Sequence, residues 1–179
     1  GQRISLSRQA SFGSGLVLAT SVLVGPIAHA ARTNFTFHMI QHISLMMLIA
    51  PLLILGSPFK LLKIAETPLR FLLRAEVGFP LFLATLIATH FGPLANSGML
   101  NPNVHEFELI LFLGGGFIYY YPVLEGNPKP YFVPYFARVI SLFAMMLPET
   151  MVGFFLYAGS HVLHHLPNSV SDATGLHEQ

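Results

Sequence analysis

The chain has 179 residues, of which 53% are hydrophobic and only 9% are charged, with a formal net charge of +1. Soluble domains carry about 25% charged residues, so this composition excludes a water-soluble surface and indicates an integral membrane protein. The absence of cysteine excludes a disulfide framework and a thiolate metal site. The low net charge, without a basic cluster among aromatic residues, gives no indication of nucleic-acid binding.

Five apolar runs follow one another along the chain, each close to the roughly 20 residues that a helix needs to cross a bilayer. They lack the period-two alternation of barrel strands, so helices are the way for the backbone to satisfy its hydrogen bonds in lipid. The sequence therefore predicts an all-α, polytopic membrane helix bundle, a single domain over residues 1–179 with a polar, histidine-containing tail at 160–179. The predicted spans are about residues 10–31, 34–56, 78–94, 104–123 and 136–159.

The second run carries the most informative side-chain pattern. His38 and His42 are four residues apart and share one face of a helix, with Met39 and Met46 one turn to either side of His42. Ring nitrogens inside an apolar helix are costly without a partner. Hydrogen bonds to neighbouring helices and a bound metal ion would both meet this need. If an ion binds, imidazole and thioether without thiolate favour Cu(I).

The distribution of positive charge predicts the orientation. With five spans, the N-terminus, the 57–77 loop and the 123–136 loop lie on one side of the membrane. That side holds all but one of the lysines and arginines, the exception being Arg32. The positive-inside rule therefore predicts a cytoplasmic N-terminus. The residues on the predicted cytoplasmic side are Arg3, Arg8, Lys60, Lys63, Arg70, Arg74, Lys129 and Arg138.

All nine histidines fall on the opposite, outer side of this arrangement. His90 closes the third run, and His105 opens the fourth, three residues before Glu108. The pattern predicts a metal site near the outer face. His38 and His42 would be its first ligands, Met39 or Met46 a soft third, and His90 and His105 would close it from neighbouring helices.

Two further polar features remain outside this predicted site. Glu149 lies near the middle of the fifth run, where a carboxylate is costly unless it is neutral, paired or close to a cation. A protonated, hydrogen-bonded acid and a cation-binding acid both fit this position. The tail histidines, His161, His164 and His165, are more typical of a solvated segment than of a metal site.

The second run and its end also resemble a known family. Residues 38–42 read HMIQH and residues 50–58 read APLLILGSP, similar to the signature of the CtaG family of bacterial cytochrome c oxidase assembly factors. The resemblance covers about residues 10–160 and implies a non-enzymatic membrane protein that helps copper reach the oxidase from the outer side of the bacterial plasma membrane. The expected partners are the lipid bilayer, a cytochrome c oxidase subunit and a periplasmic copper chaperone. Family members have further spans, so the sequence is expected to be a shortened relative or part of a longer polypeptide.

Three other functions compete with copper delivery. A helical subunit of a respiratory complex would need no metal of its own. A membrane di-iron oxygenase would use the histidine boxes at 38–42 and 161–165, although such boxes face the cytoplasm and the charge distribution here places them outside. A membrane cytochrome would use histidines from two helices as axial haem ligands.

Overall fold

The computed structural model describes residues 5–61, 71–91, 94, 97–98, 101–124 and 133–158. The predicted all-α class is confirmed, and the described part of the chain contains no β-strand. The elements in chain order are α1 (Leu6–Leu23), α2 (Pro26–Ala31), α3 (Phe35–Ile43), a π-helix (Ser44–Ile49), α4 (Ala50–Leu55), α5 (Pro58–Leu61), α6 (Ala75–His90), α7 (Pro102–Leu124) and α8 (Tyr135–Ala158).

Among the described residues, four stretches are long and apolar enough to cross a membrane, namely Leu6–Ala31, Thr36–Leu55, Pro102–Leu124 and Tyr135–Phe155. The helix α6 is also apolar but has 16 residues and is about 24 Å long, somewhat less than a typical hydrocarbon core. It starts and ends earlier than the 78–94 expected from the sequence. Phe91 leaves the helix with an extended backbone, and Gly92 and Pro93 follow it in the sequence, a pair that disfavours helix.

A break divides the first apolar stretch into α1 and α2. Pro26 stands at the first position of α2, where its missing N–H costs no hydrogen bond. The backbone N–H groups of Val24 and Gly25 both donate to the Thr20 carbonyl and close the end of α1. The chain then turns back through Asn34, whose Oδ1 accepts from the N–H of Thr36 and of Phe37, so that α3 starts with a satisfied cap.

The second stretch is one long rod in which a π-helix separates α3 from α4. The Ala50 N–H donates to the carbonyl of Leu45, five residues earlier, which is the π pattern. Pro51 follows at once, and in a regular α-helix its ring would clash with the carbonyl four residues before it. The wider turn therefore lets the rod continue past a proline.

The core lies where α7 packs against α6 on one side and against α4 and the π-helix on the other. Its largest fully buried side chains include Phe82, Phe112, Tyr119 and Tyr121. Small residues allow close backbone approach. A Cβ on Gly116 would lie 2.7 Å from the Met46 carbonyl oxygen, so only glycine fits at this crossing.

The helix α8 is attached to the rest of the bundle more loosely. It packs against α6, and the Tyr119 hydroxyl joins it to α7 by donating to the Ser141 carbonyl at 2.9 Å. Large apolar side chains along α8, among them Phe143 and Leu147, are exposed. An apolar face of this kind is compatible with lipid or with a further helix, because neither needs a polar covering.

Candidate metal centre

Three imidazoles converge at the end of the bundle where α3 and α7 begin and α6 ends. His38 and His42 lie one turn apart on α3, and their ring centroids are 4.2 Å apart. His105, in the first turn of α7, stacks on His38 at 4.6 Å and lies 5.5 Å from His42. We call these three residues the imidazole triad. One ring nitrogen from each lies within 4.8 Å of the others.

The size of the triad fits a small metal ion. Metal–imidazole bonds are about 2.0–2.1 Å long, so two nitrogens on one ion stand roughly 3.4 Å apart in a tetrahedral site and about 4 Å apart in a linear one. The observed spread of up to 4.8 Å exceeds these values by an amount that small ring rotations can remove. His38 and His42 are buried and His105 is partly so, and this burial would shield a bound ion from water.

Gln41 fixes the orientation of His105. Its side-chain N–H donates to the Val22 carbonyl at 2.7 Å, which turns its Oε1 toward the Nε2 of His105 at 3.1 Å. Because Oε1 can only accept, Nε2 of His105 donates to it. The Nδ1 of His105 is buried and makes no hydrogen bond at normal distance among the described residues. With Nε2 engaged by Gln41, Nδ1 is the ring nitrogen of His105 that an ion could bind.

A buried carboxylate lies next to the triad. Glu108 is 2% exposed, and its Oε2 lies 3.8 Å from the Nδ1 of His105. Gly98 lies directly against the carboxyl group, where a larger residue would collide with it. A carboxylate buried in an apolar bundle is costly unless a cation or a proton compensates its charge. An ion held by the triad would provide that compensation.

A cavity of about 140 Å³ adjoins the triad on the side of α6 and α8. Its polar and sulfur-bearing wall consists of Met39, His42, Met46, Met47, His90 and Glu149. His90 lies 6.3 Å from His42, ring to ring. Its Nδ1 donates to the Leu86 carbonyl at 2.9 Å, so its lone pair is on Nε2. We call this space the thioether chamber.

The six residues predicted as ligands are thus divided between the imidazole triad and the thioether chamber. The triad unites His38, His42 and His105. The chamber is lined by Met39, Met46 and His90, together with His42. His29 is exposed on α2, and the tail histidines, His161, His164 and His165, lie outside the described residues.

These features define the class of protein: a helical membrane protein with several spans and a buried three-histidine cluster at one end of its bundle. The chain belongs to the cytochrome c oxidase caa3 assembly factor family (Caa3_CtaG), whose pattern matches residues 1–175. The resemblance inferred from the sequence is therefore confirmed.

Similar curated proteins come from mycobacteria, where each is described as an uncharacterized protein. The relative from Mycobacterium leprae is 31% identical over 133 residues, and those from Mycobacterium bovis and Mycobacterium tuberculosis are each 32% identical over 133 residues. Each alignment covers 63% of this chain and 20% of the relative. The chain thus spans about a fifth of the length of these relatives. No solved structure matches the chain.

Proposed function

We propose that this protein binds Cu(I) at the imidazole triad and passes it to a subunit of a haem–copper cytochrome c oxidase during assembly. Membership of the assembly-factor family supports the oxidase as partner. The observation that carries the copper proposal is the convergence of His38, His42 and His105, from two helices, within 4.8 Å. Three neutral imidazoles hold a monovalent ion with little added charge, which suits a carrier that must release its ion.

The chemistry of the neighbourhood favours copper over harder ions. The sequence has no cysteine, so its soft ligands are thioethers, and the chamber beside the triad is lined by Met39, Met46 and Met47. Imidazole with thioether is a ligand set that selects Cu(I). Glu108 supplies a negative charge close to His105, which would neutralise the ion within the apolar bundle.

We further propose that the triad faces the outside of a bacterial plasma membrane and that the N-terminus is cytoplasmic. Arg8, Arg74 and Arg138 stand near the starts of α1, α6 and α8, at the end of the bundle opposite the triad. The positive-inside rule places such a basic end in the cytoplasm. Copper would then reach the triad from outside, for example from a periplasmic copper chaperone.

The test is a Cu(I) competition titration of the purified chain in detergent under reducing conditions. The double variant His38→Ala/His105→Ala should lose at least 100-fold in affinity for the first Cu(I) equivalent. His29→Ala is the matched control because His29 is exposed and lies outside the triad. Equal first-equivalent affinity in wild type and double variant would refute the proposal. Absence of copper binding in the wild type would favour a structural subunit of a respiratory complex.

A cellular measurement tests the oxidase as recipient. In a strain that depends on this protein, the double variant should leave the oxidase deficient in copper while the His29→Ala control supports normal copper content. Metal analysis of the purified oxidase reads this out directly. A fully loaded oxidase in the double-variant strain would contradict delivery through the triad.

A further inference from the structure

We propose that the thioether chamber is a second Cu(I) site, which receives the ion from the imidazole triad through His42. This inference rests on the proposed function for the first site and adds a second position beyond it. His42 belongs to both places, because it is a member of the triad and also lines the chamber. An ion could thus change its other ligands while remaining bound to His42.

The chamber has the size and lining that a soft ion requires. Its volume of about 140 Å³ accommodates an ion with a few waters, since a water occupies about 30 Å³ in the liquid. Much of the remaining wall is apolar, including Leu86, Phe112 and Val152. Thioethers are weak ligands for hard ions and good ligands for Cu(I). The chamber would therefore exclude the commoner divalent cations.

The placement of the sulfur atoms follows from the second rod. Met39 lies on α3, one turn before His42, whereas Met46 and Met47 lie within the π-helix that follows. The Sδ of Met47 accepts a hydrogen bond from the Tyr120 hydroxyl at 3.2 Å, which ties its sulfur to α7. We therefore assign Met39 and Met46 as the thioether ligands, with His42 as the shared imidazole.

His90 and Glu149 complete the chamber from the other two helices. The hydrogen bond from Nδ1 of His90 to the Leu86 carbonyl leaves its Nε2 as a possible fourth ligand. Glu149 contributes the carboxylate that would balance the single positive charge of Cu(I), because an uncompensated ion within an apolar bundle is costly. Glu149, for which the sequence left two explanations open, is on this proposal a cation-binding acid.

The transfer between the two sites is a ligand exchange without oxidation or reduction. The bonds from Cu(I) to His38 and His105 break, the bond to His42 persists, and bonds to the sulfur atoms of Met39 and Met46 form. Copper remains Cu(I) throughout, and no electron or proton has to leave the site. The direction is from the triad toward the side of the bundle where α6 and α8 meet.

The experiment uses the purified full chain with Cu(I), and with Ag(I) as a redox-inert substitute, and measures stoichiometry and X-ray absorption. Wild type should bind two equivalents. When both are bound, His42 stays with the triad and His90 joins Met39 and Met46 around the second ion, so a metal–sulfur shell should appear with the second equivalent. Met39→Leu/Met46→Leu, a nearly volume-conserving change, should bind one equivalent and show no sulfur shell. Met146→Leu/Met151→Leu is the matched control, since both side chains are exposed on α8, and it should bind two.

The outcomes separate this inference from the proposed function. In the His38→Ala/His105→Ala variant the chamber should still bind one equivalent with sulfur ligation, at the weaker affinity of the second equivalent of wild type. Loss of the tighter equivalent tests the triad alone. Glu149→Gln should weaken the second equivalent at least tenfold and leave the first unchanged. A single equivalent in wild type, a second equivalent without sulfur ligation, or two equivalents in Met39→Leu/Met46→Leu would each overturn the second site.

Discussion

Replacing Gly116 by alanine should force α7 away from the π-helix. The added Cβ would stand 2.7 Å from the Met46 carbonyl oxygen and 3.1 Å from the Ala50 Cβ. Ordinary van der Waals contact begins at 3.4 Å, so the two helices must separate by the difference of roughly 0.7 Å. Forcing one extra carbon into a packed core costs about 1–3 kcal/mol. A shift of α7 would also move His105, so we expect weaker binding of the first Cu(I) equivalent.

Gly114→Ala is the matched control, because no described atom lies within 4 Å of its added Cβ. Both variants gain the same intrinsic helix preference of alanine over glycine, about 1 kcal/mol, so the difference between them isolates the steric cost. Thermal unfolding in detergent and Cu(I) titration of both variants measure this difference. If Gly116→Ala is as stable as Gly114→Ala and binds Cu(I) equally well, the close crossing of α7 over Met46 does not exist.

Further predictions concern the triad and the attachment of α8. Gln41→Leu removes the acceptor that orients His105. The loss of such a supporting hydrogen bond should lower the Cu(I) affinity about 10–100-fold. An unchanged affinity would show that Gln41 does not orient the imidazole of His105. Because protons compete with the ion for the imidazole lone pairs, the Cu(I) affinity should fall as the pH is lowered, and binding should release protons. Calorimetry in buffers of different ionisation enthalpy detects this proton release. A Cu(I) affinity that does not depend on pH would argue against imidazole ligation. Tyr119→Phe loses the bond to the Ser141 carbonyl and should destabilise the protein by about 0.5–1.5 kcal/mol, whereas Tyr135→Phe, at an exposed position, should leave the unfolding temperature unchanged.

The fold class could be predicted from the sequence because a chain in lipid must satisfy its backbone hydrogen bonds internally. Long uncharged runs can only be helices in a bilayer, and the four longest were recognisable by composition alone. The internal breaks were harder to foresee. Two of these breaks occur at prolines: α1 and α2 separate at Gly25 and Pro26, and the π-helix precedes Pro51. A hydropathy pattern taken over a whole span does not show such local changes of the backbone. The length of α6 agrees with the prediction to within one residue, but both of its ends lie earlier in the chain. Its end differs because the hydropathy continues past the residue at which the backbone turns.

The candidate site was partly predictable because four-residue spacing brings His38 and His42 together on any helix. The approach of His105 depends on how α7 docks against α3, which is a tertiary relation that no local pattern encodes. Gln41 gave no signal as a supporting residue, since its role requires knowledge of both Val22 and His105. For Glu108 the three-residue spacing from His105 was a usable signal, although it did not reveal that the carboxylate is buried.

The π-helix lets the second rod hold one residue more than regular α-helical turns would in the same length. Deleting a single residue between Ser44 and Ile49 would let the backbone revert to α geometry, and the side chains on either side would keep their faces of the rod. The ring of Pro51 would then meet the carbonyl four residues before it, a clash that costs about 3 kcal/mol. Natural relatives that lack one residue across these six positions should therefore also lack the proline that follows them.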